Sequence, residues 1–224
     1  MRLEHKPKYE TKLYSDGSTI KFRPFIVEEE RNLLMALQSE SPLDVIATIK
    51  DIVGNCTKTD ADKLPYFELE QLFLKIRSKS VGELVEMVGT CDCKDDARTT
   101  FTVNLDNVCM HGELLDPVIP IVDSDYFAEF RYTTTSDIFN TEDQDGIDFI
   151  ASMVTKVWNS DEVFDDPSLA ESKEFLLSLS SEQYKDIDAF FKGMPSIRLS
   201  HTWHCNHCGK AHDMLLTGIE DFFV

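Results

Sequence analysis

The sequence predicts an α+β fold: an N-terminal β-hairpin with short helices, a central antiparallel β module and a second helical block. Three observations point to it. Apolar residues recur at helical spacing in the first third of the chain and again after residue 140. Between these regions the period shifts toward two, the pattern of half-buried strands. Two cysteine turns, Cys91-Asp92-Cys93 and Cys205-Asn206-His207-Cys208, each stand between such strands. Residues 84–105 and 197–217 would then pair like the two hairpins of a zinc ribbon. The same reading divides the chain into a hairpin-plus-helical unit over 1–80, a discontinuous ribbon-like β module over 81–135 and 196–224, and a helical insertion over 136–195.

Taken in order, Asp16-Gly17 signals a two-residue hairpin turn flanked by Leu13-Tyr14 and by Ile20 and Phe22. Pro24 ends the second strand. Val27-Glu28-Glu29-Glu30 opens a helix whose early acids complement the positive end of its dipole, with Leu33, Leu34 and Leu37 as its buried face. Ser41-Pro42 starts a second helix, Ser as cap and Pro in the first turn. Leu43, Ile46, Ile49 and Val53 face inward there, and Gly54-Asn55 is its stop. A third helix follows Leu64-Pro65 to about Arg77, on a stripe of Phe67, Leu69, Leu72, Phe73 and Ile76.

Beyond Ser80 the strands begin. Val85, Met87 and Gly89 share one face, and Phe101, Val103 and Leu105 alternate with Thr100, Thr102 and Asn104. Residues 117–121 and 126–134 offer two more strands. Ile147, Ile150, Val154, Val157 and Trp158 fit one helix, and the acidic segment 161–167 reads as a solvated loop. Ser180-x-x-Gln183 is a capping box for a helix carrying Tyr184, Ile187, Phe190 and Phe191, closed by Gly193 and Pro195. Strands over 197–204 and 213–217 lead into and out of the second cysteine turn.

With 42% hydrophobic residues and 15 Phe in 224 positions, the chain can bury a sizeable core. Asp and Glu number 41 against 22 Lys and Arg, a formal charge of −19. Sequence-independent nucleic-acid binding relies on basic side chains that neutralise phosphates, so this balance argues against it, and equally against an anionic membrane surface. No apolar run approaches the roughly 18–20 residues of a bilayer span. The opening MRLEHKPKYE lacks the apolar core of a signal peptide, so the expected compartment is a cytosol. There, six cysteines are free thiols or metal ligands before they are disulfides. Cys56 and Cys109 read as small core residues.

If the two cysteine turns meet, Cys91, Cys93, Cys205 and Cys208 form a four-thiolate site for one structural zinc. A thiolate–imidazole set using His204, His207 or His212 is the rival, and incidental thiols in surface turns are the plain alternative. Lys94-Asp95-Asp96 stands where a zinc knuckle ordinarily has Gly. Four protein ligands leave no open coordination position, so such a site would brace the fold and would not activate water. The sequence holds no HExxH, phosphate loop, dinucleotide fingerprint or nucleophile elbow. It reads as a binding or structural protein, not an enzyme.

Three stretches carry a family likeness. IKFRPFIVEEERNLLMA (20–36), IRSKSVGE (76–83) and LLTGIEDFF (215–223) resemble the baseplate hub proteins of T-even-like contractile-tailed bacteriophages in order, spacing and total length. The resemblance implies a hub subunit or hub-assembly chaperone whose partners are other phage baseplate hub or tail proteins. It also implies a place in the host cytoplasm during assembly, and in the virion tail baseplate if the protein stays in the particle. It implies no nucleic-acid or membrane partner and brings no catalytic set. Within these stretches Arg23, Arg77 and Lys79 either pair internally with Glu28 or Glu83 or meet an acidic partner. Ile219, Phe222 and Phe223 either cap the ribbon or insert into a hub partner as aromatic anchors. The alternative function is a zinc-ribbon regulator that binds a nucleic-acid enzyme.

Overall fold

The computed structural model describes residues 6–39, 41–94, 97–139 and 146–222. Helices and short antiparallel sheets follow one another along the chain, the α+β class expected from the sequence. Two compact units result. The first comprises Met1–Ala61, Phe67–His111 and Ser196–Val224, the second Asp62–Tyr66 and Gly112–Pro195.

In the first unit β1 (Tyr9–Lys12) and β2 (Thr19–Phe22) pair as the expected hairpin. Its turn is longer than Asp16-Gly17 alone would make it. The Leu13 amide donates to the Ser18 carbonyl at 2.9 Å, and the Asp16 carboxylate accepts the Ser18 amide at 2.8 Å. Residues 13–18 therefore close the loop, and Leu13 turns into the core. α1 (Val27–Gln38) buries Glu29, Leu33 and Ala36, while Leu34 points outward at 55% exposure, against expectation. That inward stripe is narrow, and Leu34 falls outside it.

α2 (Pro42–Thr57) starts as read, with the Ser41 hydroxyl accepting the Asp44 amide at 3.3 Å. It passes Gly54 and stops only at Lys58, whose backbone is left-handed at φ 61°, and the added turn buries Cys56. α3 (Tyr66–Val81) buries the whole expected stripe. It also runs past Arg77, with the Ser80 hydroxyl donating back to the Ile76 carbonyl at 2.6 Å. β3 (Leu84–Thr90) and β4 (Arg98–Asn104) then pair antiparallel, with Val85, Met87 and Val103 buried. β5 (Cys109–His111), which no periodicity announces, is a three-residue edge strand. Cys109 is consequently exposed and not a core residue, whereas Cys56 is buried.

The second unit holds β6 (Val118–Pro120), β7 (Phe127–Phe130), α4 (Thr135–Phe139), α5 (Gly146–Ala151), β8 (Val154–Trp158), β9 (Val163–Asp165), α6 (Leu169–Ser178) and α7 (Ser181–Lys192). Its strands pair in the order β6-β7-β8-β9. Ala128, Phe130, Val154 and Val157 pack there with Ile187 and Phe190 of α7. Two sequence expectations fail in this unit. Residues 154–158 are a strand, not the end of a helix, because Phe130 pairs with Val154 and Glu129 with Lys156, leaving Thr155 as an extra residue. This bulge turns Val154 and Val157, three positions apart, onto the same face. Residues 163–165 of the expected acidic loop form the exposed edge strand. The chain then returns to the first unit as β10 (Ser196–His204) and β11 (Ala211–Thr217), with β10 between β11 and β5. A 3-10 turn over Glu220–Phe222 follows.

Candidate metal centre

Each cysteine turn sits at the tip of a hairpin whose backbone shapes it. On β3–β4 the Cys91 amide donates to the Ala97 carbonyl at 2.9 Å. On β10–β11 the Cys205 amide donates to Lys210 at 2.9 Å, and the Gly209 amide donates to Cys205 at 2.8 Å. Gly209 takes φ +74°, a conformation that glycine adopts without steric cost.

Several contacts join the hairpins. The Asn206 amide donates to the hydroxyl of buried Thr99 at 3.0 Å. Phe101 stacks on Trp203 at 5.5 Å and on His201 at 5.2 Å. Trp203, Cys91, Ala97 and Cys205 form a small buried cluster. Trp203 and Cys205 lie two residues apart at the end of one strand, a period-two signal that could have placed Trp203 beside the thiols.

The four sulfurs lie within 4.8 Å of one another, although Cys93 and Cys205 are 112 positions apart. Cys91 Sγ is 3.8 Å from Cys208 Sγ, and Cys93 Sγ is 3.7 Å from Cys205 Sγ. Thiolates held about 2.3 Å from a central zinc stand about 3.8 Å apart at the corners of a tetrahedron. A disulfide would bring its sulfurs to about 2.05 Å. The 3.7 and 3.8 Å separations match the tetrahedral thiolate spacing and not a disulfide.

Its electrostatics point the same way. The backbone amides of Cys208 and then His207 draw the Cys205 thiol down to about 6, with the His207 nitrogen 3.4 Å from the sulfur. Burial, reinforced by Cys205 and Cys208, pushes the Cys93 thiol up to about 12. One sulfur is ready as a thiolate while a neighbour resists ionising beside it. A divalent cation at the centre would remove that conflict.

Among the described residues this cluster contains sulfur ligands only, so the rival imidazole set is not assembled. His204 and His207 are exposed, and His212 stacks on Trp203 at 4.3 Å. Ile219 and Phe222 are each 1% exposed, and Phe223 lies outside the described residues.

The three stretches singled out in the sequence converge on α3. The Phe25 amide donates to the Ser80 hydroxyl at 3.0 Å, and the Ile219 amide donates to the Glu70 carboxylate at 2.9 Å. Arg23 pairs in two-pronged fashion with Glu29, both contacts at 2.8 Å, and not with Glu28. Lys79 stands 4.0 Å from Asp106, not against Glu83. Burial pushes the Arg77 guanidinium below its ordinary pKa, and among the described residues its Nη1 has no hydrogen-bond partner. These stretches thus spend much of their polar chemistry inside the fold.

A family model described as T4 bacteriophage base plate protein matches residues 6–224. The chain belongs to that family. Neither the curated proteins nor the solved structures compared with it give a match. The match embraces both units of this base plate protein, including the α3 junction and the cysteine hairpins. Among the described residues no helix is long and apolar enough to cross a membrane.

Proposed function

We propose that this base plate protein is a non-enzymatic component or assembly chaperone of the baseplate hub, acting through contacts with other tail proteins in the host cytoplasm. The family match over residues 6–224 carries this reading. The −19 charge supports it by disfavouring nucleic acid as the partner. A tagged copy expressed during infection should co-purify with at least one other hub or tail protein. Recovery of the tagged chain alone, from cells in which tails are being built, would overturn the reading.

The four cysteines serve this role as a brace. Cys91, Cys93, Cys205 and Cys208 would hold one structural zinc, and the 3.7 and 3.8 Å sulfur separations support that fit. The zinc would supply a cross-link between the two hairpins. The residues around it orient the sulfurs: backbone amides point at Cys205, and Thr99 fixes the turn at Asn206.

A further inference from the structure

The second unit carries a groove for which the cysteine cluster gives no account. β9 is one edge of the four-stranded sheet, and all three of its residues are exposed. The Asn159 amide donates to Glu162 and the Asp166 amide to Thr155, which with the register Val157↔Phe164 makes Phe164 the β9 residue bonded to β8. The backbone groups of Val163 and Asp165 therefore face away from the sheet. Such an edge is a template for another strand.

Beside this edge lies a cavity of about 470 Å³ whose apolar walls include Ile121, Tyr126, Val157, Phe164, Phe175 and Leu179. Ser172 also lines it, and among the described residues its buried hydroxyl has no hydrogen-bond partner. Around the groove the segment 161–174 carries Asp161, Glu162, Asp165, Asp166, Glu171 and Glu174, with Lys173 as its one cation. Lys173 is already held by Asp148 at 2.5 Å.

We infer that the β9 edge and this groove bind an extended segment of a partner protein in which apolar and basic residues alternate. The segment adds a strand to β9, seats an apolar side chain against Phe164 and Val157, and sets Lys or Arg against the acidic rim. Charge selects this occupant over a second copy, because an edge-to-edge pair of two β9 strands would bring the acids of both copies together. Only the identification of that partner as a tail protein rests on the proposed hub role.

The test uses the full chain and a fluorescein-labelled peptide, Lys-Val-Lys-Phe-Lys-Val-Lys, read by anisotropy. A peptide of the same composition with its four lysines in one block is the control. The alternating peptide should bind at least roughly 10-fold more tightly than the block peptide. Val163→Pro removes an outward N–H without removing a bond to β8, so it should weaken binding by a similar factor with thermal unfolding unchanged. Phe164→Ser should do the same by emptying the groove wall. Equal binding of the two peptides, or full binding by both variants, overturns the proposal. So does a concentration-dependent dimer abolished by Val163→Pro, which would assign the edge to a second copy. Tail-protein capture that survives Val163→Pro would strike the groove and spare the hub role. Peptide binding without any tail-protein capture would do the reverse.

Discussion

Glu29 accepts from both terminal nitrogens of Arg23 and from the Ile26 amide at 2.8 Å, with the Cys56 thiol at 3.8 Å. Burial alone would raise its pKa, but these hydrogen bonds, Arg23 foremost, hold the carboxyl below its ordinary 4.5. A depressed carboxyl stabilises the fold fully above its ordinary value, and that contribution is lost as pH falls through the folded value. Glu29→Gln should lower Tm at pH 7 and flatten the further fall in Tm on acidification below pH 4.5. Arg23→Ala leaves a buried carboxylate unpaired and should cost about 3 kcal/mol at pH 7 by urea titration. A cost near zero would mean that the pair behaves like an exposed one. The sequence could not choose among Glu28, Glu29 and Glu30, since only the helix phase that aligns Glu29 with Leu33 and Ala36 selects it. Gly89 was more legible, because strand alternation put it on the inward face with Val85 and Met87. What it faces was not, since Trp203 comes from a distant segment. A Cβ at Gly89 would stand 2.5 Å from Trp203 Cε2. Gly89→Ala should therefore destabilise by about 1–3 kcal/mol, and Trp203→Leu in the same chain should recover part of the loss.

At the scale of elements, helix ends that announce themselves through side-chain chemistry were readable, and those set by partners were not. Ser180 and Gln183 bond reciprocally, the Ser180 amide to Gln183 Oε1 at 2.9 Å and the Gln183 amide to Ser180 Oγ at 3.3 Å. Ser180→Ala should cost about 1 kcal/mol in denaturant unfolding followed at Trp158. The same signature at Ser168 and Glu171 caps α6, yet the acidic run before it reads as loop and hides it. The third stripe was fully legible because α3 buries it entirely. The sequence of β8 resembles a helix for a specific physical reason. Its bulge at Thr155 restores two inward valines at a spacing of three, which imitates a helix. Deleting Thr155 leaves Val154 and Val157 two positions apart on one face of a regular strand, so the Tm of this unit should fall by less than the roughly 5–10 °C that exposing one buried valine would cost. A fall of that full size would show that the bulge itself is needed to keep both valines inside.

For the whole molecule, the chain reaches its cysteine cluster by leaving the first unit at residue 111 and returning at residue 196. A cross-link between Cys93 and Cys205 closes a loop of 112 positions, and long loops lose the most entropy when the open chain is constrained. The meeting of the two cysteine turns was legible, because strand–turn–strand modules on both sides offered the same geometry. The sulfur spacing that distinguishes a metal cage from disulfides was not. Protein purified in reductant should carry about one zinc per chain, and Cys205→Ser should carry far less. Chelation should lower Tm by roughly 10 °C, the loop-closure contribution expressed in degrees. The two tryptophans divide the readout, since Trp203 packs beside the cluster and Trp158 belongs to the other unit. In a Trp158→Phe chain the remaining fluorescence should shift on chelation and unfold earlier. In a Trp203→Phe chain Trp158 should keep its emission, because its unit has a separate core. Zinc-free protein in which Cys205→Ser melts with the parent would make the cluster a plain packing of four thiols. A simultaneous loss of both tryptophan signals on chelation would instead show that the brace supports the second unit as well as the first.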